Sequence, residues 1–116
     1  MPHNPLDDIK DFIDWLKKQE DARHYEPTSL DETRMCSCPI ARYLQEHWGY
    51  SEAQVGLRTW ANNAYGFGTR SLPGWAESFV RRYDGCTYAT TPKPPRSNKY
   101  ALETAERISA ELAVYR

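Results

Sequence analysis

Ser51-Glu52-Ala53-Gln54-Val55-Gly56-Leu57-Arg58-Thr59-Trp60-Ala61-Asn62-Asn63-Ala64-Tyr65-Gly66-Phe67-Gly68-Thr69-Arg70 is the stretch on which the fold class turns. Ser51 to Gln54 fit the capping box of a short helix. Val55, Leu57 and Thr59 alternate as a strand does, and Asn62-Asn63 suits a turn back towards residues 65–69. The two readings balance, and Gly66-Phe67-Gly68 is a turn in both. If the helix forms, the chain is all-helical; if the hairpin forms, a small sheet is added.

The flanking segments read as helices. Asn4-Pro5 opens the first as N-cap and first-turn proline, with Asp7 and Asp8 at the positive end of its dipole. Leu6, Ile9, Phe12, Ile13 and Leu16 make its apolar face, so it is expected to run from about Pro5 to Gln19. Residues 20–35 are polar and without period, which predicts a loop. A second helix starts at Cys38-Pro39, buries Ile40, Tyr43, Leu44, His47 and Trp48, and stops at Gly49. A third begins at Pro73 with Trp75, Phe79, Val80 and Tyr83 inward and Gly85 as its stop. Pro92, Pro94 and Pro95 make residues 87–97 an extended connector. Asn98 caps a last helix with the stripe Ala101, Leu102, Ala105, Ile108 and Leu112. The expected fold is one mainly α domain over residues 1–116, a compact bundle of four to five helices with at most one short β-hairpin around residues 54–69.

Composition agrees with a compact domain of unusual core chemistry. The 116 residues carry 15 basic and 16 acidic groups, a formal net charge of −1. Leu, Ile and Val together number 15, no more than Phe, Tyr and Trp. An aromatic core is therefore expected. Trp48, Trp60 and Trp75 are read as core, and Trp15, at the edge of the first apolar face, as the exposed aromatic. No run reaches the ~18 apolar residues of a membrane helix, and the first residues lack a secretory pattern. Three cysteines, two of them as close as Cys36 and Cys38, point to a reducing cytoplasm.

Cys36 and Cys38 invite a zinc site completed by Cys86 and His24 or His47. Structural zinc sites show two spaced pairs, however. Nine residues also turn a helix by about 900°, placing Cys38 and His47 on opposite faces. Cys38 as a helix-start nucleophile with His24 or His47 as base lacks any orienting carboxylate in the pattern. The glycines at 66 and 68 with Arg70 could cradle an anion, but their spacing matches no phosphate-binding fingerprint. The expectation is no metal, no cofactor and no catalytic set.

Charge is segregated along the chain. Residues 1–35 carry net −4 and residues 67–100 net +4. Asp7, Asp11 and Asp14 form one acidic helix stripe. Arg70, Arg81, Arg82, Lys93, Arg96 and Lys99 form the basic segment, with Tyr88 among them. That segment suits a nucleotide or single strand held by charge and stacking. Trp15, as an exposed aromatic, suits a protein interface or self-association.

Cys38-Pro39-Ile40-Ala41-Arg42-Tyr43-Leu44, following an amphipathic helix and a Tyr-containing polar loop, resembles small phage and prophage accessory proteins with a Cys-x-Leu/Ile-Ala-x-Tyr-Leu pattern. The resemblance covers the first half of the chain. It implies an accessory protein of the kind that inhibits host defence, as anti-CRISPR proteins do, and it makes Cys38 a packing residue. The resulting expectation is a non-enzymatic interaction protein in the host cytoplasm. Its partner is a host protein or nucleoprotein complex, with homo-oligomerisation compatible; the alternative is a nucleotide- or nucleic-acid-binding module using residues 67–100.

Overall fold

The structure is a computed structural model that describes residues 4–26, 37–62, 69–84 and 95–114. Among them it has four helices and five short strands. In order these are α1 (Ile9–Lys17), β1 (His24–Tyr25), α2 (Pro39–Glu46), β2 (Ala53–Val55), β3 (Thr59–Asn62), β4 (Arg70–Ser71), α3 (Gly74–Asp84), β5 (Arg96–Ser97) and α4 (Asn98–Val114). The fold is mixed, helices with two small antiparallel sheets, rather than a helical bundle.

The deciding stretch is a hairpin, and its turn falls earlier than the alternation suggests. Ala53, Gln54 and Val55 pair with Asn62, Ala61 and Trp60. The chain reverses at Gly56 to Arg58, where Gly56 N–H donates to the Thr59 carbonyl. Leu57 is therefore a turn residue, and Thr59 begins the next strand. Strand β3 is central, since Thr59 and Trp60 also pair with Ser71 and Arg70. Trp60, Ala61 and Asn62 are all buried, a continuous run and not an alternating one, as expected for a strand covered on both faces. The capping box at Ser51 goes unused. Gly56 breaks the helical run, and the Trp60 ring packs on Tyr50 at 5.8 Å.

Helix α1 is shorter than its apolar period implies because two caps compete. Asn4 closes a separate turn, accepting from Leu6 N–H on its side chain and from Asp7 N–H on its carbonyl. Asp8 then caps the helix by accepting from Lys10 N–H at 2.9 Å. Leu6 is still buried, but from the turn, where its carbonyl accepts from Trp75 Nε1. Helix α2 begins at Cys38-Pro39 as expected and ends before Gly49, whose φ of +76° suits a glycine at a helix stop. His47 and Trp48 are exposed rather than core, because α2 is already ending there.

The loop after α1 contains β1, which pairs antiparallel with β5 (His24 with Ser97, Tyr25 with Arg96). Both lie in segments expected to be irregular, and two-residue strands carry no period to read. Ser97, not Asn98, caps α4, accepting from Tyr100 N–H on its hydroxyl. Asn98 is fully buried and joins three segments. It accepts from Tyr25 Oη at 2.8 Å and donates Nδ2–H to the Leu16 carbonyl at 2.9 Å, while its N–H reaches the Arg23 carbonyl. Along α4, Ala101, Ala105 and Ile108 are buried, but Leu112 is 40% exposed. The core stripe continues past the part of the helix that the body covers.

Helix α4 packs between α1 and α3, and α2 packs on β2. The core centres on Phe12, whose ring meets Trp15, Tyr43, Trp75 and Phe79, the last edge-on at 5.1 Å. Trp15 belongs to this core at 6% exposure, with the Arg23 guanidinium over its ring, so the exposed-aromatic expectation is corrected. Burial outweighs the nearby Arg23 charge and pushes the Tyr25 hydroxyl up to about 12; burial also raises that of Tyr43. An unfolded tyrosine titrates near 10. The unfolded chain therefore releases these protons first, and stability present below about pH 10 is lost as pH rises towards about 12. Urea unfolding at about pH 9 and about pH 11.5 is expected to show that fall. Tyr25→Phe is expected to shallow it, and an unchanged slope would contradict the assignment.

Candidate functional site

Helix α3 ends with Arg81 and Arg82, both exposed, where cations complement the helix dipole. Opposite them, α4 presents Tyr100, Glu103, Thr104 and Arg107 at helical spacing. Together these six residues line an open groove of about 460 Å³. Its internal bonds hold it in shape. Arg82 Nη2 pairs with a Glu111 carboxylate oxygen at 2.6 Å, both groups largely exposed. Tyr100 Oη donates to the Arg82 carbonyl at 3.3 Å, and Thr104 Oγ1 donates to the Tyr100 carbonyl at 2.9 Å. Arg96, on β5, lays its guanidinium carbon 4.6 Å from the Tyr100 ring centre.

The sequence-predicted residues divide as follows. Arg81 and Arg82 line the groove with Tyr100, while Arg96 lies over the Tyr100 ring without lining the groove. Lys99 is exposed on the first turn of α4 but does not line the groove. Arg70 belongs to the three-stranded sheet, over the Trp60 ring at 5.6 Å, and is no part of the groove. Trp15 is buried and unavailable to a partner. Lys93 and Tyr88 lie outside the described residues, as do the Gly66-Phe67-Gly68 turn and Gly85. Arg107, Glu103 and Thr104 are additions. Their signal was present, since residues 100, 103, 104 and 107 share one helix face, but the basic segment was bounded at residue 100. Trp48, 36% exposed, is the exposed tryptophan among the described residues.

The thiol readings fare differently. Cys38 is fully buried at the start of α2, which denies it access to a substrate in this conformation. Cys36 and Cys86 lie outside the described residues. Among the described residues no three His, Cys, Asp or Glu side chains are placed to hold a metal. Asp11 and Asp14 are exposed on α1, while Asp7 precedes the helix. Lys10 and Lys17 accompany Asp14 and Glu106 in a second groove of about 480 Å³ between α1 and α4. That mixed lining breaks up the acidic stripe. Among the described residues no helix is long and apolar enough to cross a membrane.

The groups with displaced protonation, Arg23, Tyr25 and Tyr43, do not line the α3–α4 groove. What the groove offers is several guanidinium groups, rich in directed donors for carboxylates or phosphates. Comparison of the chain with models of protein families, with curated proteins and with solved structures returns no match.

Proposed function

We propose that this chain is a small non-enzymatic binding protein, a phage-type accessory protein acting in the host cytoplasm. Its partner is a host protein or nucleoprotein complex, engaged through the α3–α4 face. The observation that supports this reading is the convergence of Arg81, Arg82, Arg96 and Arg107 around Tyr100. Arginine and tyrosine are the residue types that dominate binding hot spots. Here they come from three separate elements, and the Tyr100 ring is tied by its hydroxyl to the Arg82 carbonyl, which lowers the cost of ordering that ring on binding. Glu103 and Glu111 only partly offset the four cations, so the face favours an anionic partner.

The test is capture from bacterial lysate by the wild type and by Arg81→Glu/Arg107→Glu. Both positions are exposed and neither forms an ion pair among the described residues, and reversing Arg81 at the end of α3 costs about 1 kcal/mol through the helix dipole, so the double variant is expected to stay folded. Each reversal is expected to weaken capture about tenfold, more at low salt than at high. Equal recovery by both proteins, or no specific partner for either, would overturn the reading.

A further inference from the structure

A row of flat groups runs from the core to the groove. Phe79 stacks on Tyr83 with centroids 5.6 Å apart and planes within 14°. Tyr83 meets Tyr100 at 5.8 Å with the planes tilted by 57°, and the Arg96 guanidinium carbon lies 4.6 Å from the Tyr100 ring centre. Phe79 and Tyr83 are buried; Tyr100 and Arg96 are half-buried, so the row reaches the surface at the Arg96 guanidinium. That end is fixed. The Arg96 carbonyl accepts from Tyr83 Oη at 2.9 Å, and its backbone pairs with Tyr25 in the β1–β5 ladder. Tyr100 is tied at its other edge through its hydroxyl to the Arg82 carbonyl.

We infer that this face binds single-stranded nucleic acid, with one base stacked on the Arg96 plane and the adjoining phosphates lying along Arg81, Arg82 and Arg107. The inference rests on the α3–α4 face being the partner face. Nucleobases stack on guanidinium planes as on aromatic rings, and unpaired strands expose the base faces that a duplex conceals. A polyglutamate peptide supplies carboxylates for the groove arginines but no aromatic face to extend the row. Glu103 lines the same groove and repels a phosphate, so the site predicts its own improvement. Removing that charge tightens binding.

The experiment is fluorescence anisotropy of the full chain at about 50 mM salt with a labelled oligothymidine of about 15 nucleotides. A duplex of equal length and a polyglutamate peptide serve as competitors. The single strand is expected to bind about tenfold tighter than the duplex and to outcompete polyglutamate. Arg96→Lys, which keeps the charge and loses the plane, is expected to weaken it about tenfold, within the range of one lost base stack. Glu103→Gln is expected to tighten it a few-fold. The logarithm of affinity is expected to fall with log salt at about 0.7 per phosphate contacted. No binding of the oligonucleotide, equal competition by polyglutamate, or indifference to Arg96→Lys would overturn the inference. Arg81- and Arg107-dependent lysate capture would then leave the partner face standing. Loss of that dependence alongside tight oligonucleotide binding would instead remove the wider reading.

Discussion

Phe12→Ala is expected to destabilise the protein by about 3–5 kcal/mol, the usual cost of emptying a fully buried phenylalanine site. The side chain has no exposed surface, and its ring touches four others drawn from α1, α2 and α3. Edge-on packing on Phe79 and Tyr43 adds to the simple transfer term. Of the neighbouring rings, Trp75 is tied down by its Nε1–H to the Leu6 carbonyl, which limits how far the cavity can close. Against a typical total of about 5–15 kcal/mol, this is enough to lower the melting temperature by roughly 10–20 °C. Urea and thermal unfolding measure it. A loss under about 1 kcal/mol would mean that the aromatic cluster is not the centre of the core.

Asn98→Leu tests a different kind of contact and is expected to cost about 2–5 kcal/mol. Leucine matches the site in size but removes both side-chain bonds. It strands the Tyr25 hydroxyl in a site closed to water and takes one of two donors from the Leu16 carbonyl, which keeps the Gln19 N–H. The variant is discriminated from a packing defect by a double-mutant cycle with Tyr25→Phe. When the Tyr25 hydroxyl is already gone, Asn98→Leu is expected to cost about 1 kcal/mol less, because one stranded group is no longer created. Strictly additive losses would contradict the bonded pair. Asn98 also lies between Arg96 and Tyr100, so the folded fraction of this variant is expected to bind its partner less well.

The readable parts of the fold were those with a long period. Phe12, Ile13 and Leu16, then Trp75, Phe79, Val80 and Tyr83, recur at helical spacing and are buried as that spacing predicts. Pro39 and Pro73 marked helix starts correctly. The failures share a physical cause, which is that tertiary partners decide between local options of similar strength. Asn4 and Asp8 are both competent caps, and Leu6 is buried only because the turn brings it to Trp75. Val55, Leu57 and Thr59 alternate, yet Gly56 N–H finds the Thr59 carbonyl and the chain turns. Trp15 lies at the edge of its apolar face and is covered by Tyr25, Tyr43 and Arg23, which the isolated helix does not foresee. Trp48 looks like core on an α2 that continues, but α2 stops.

The basic site was half legible. Charge counting located Arg81, Arg82 and Arg96, but not that α4 would lay Arg107 and Glu103 beside them. It also grouped Arg70 with them, although that residue is carried away on β4 to Trp60. Residues adjacent along the chain separate when a strand and a helix lie between them. Among the described residues, the basic segment contributes arginines to a local face between α3 and α4, while Lys10 and Lys17 stand among the acids of α1.

The central claim is that the working surface is the groove between α3 and α4. Amide chemical-shift mapping of the full chain, titrated with the same oligothymidine, tests it most directly. The largest shifts are expected at Arg81, Arg82, Arg96, Tyr100, Thr104 and Arg107, fading in Arg81→Glu/Arg107→Glu. Shifts centred instead on the Trp48 end of α2 or on the α1–α4 groove would contradict it.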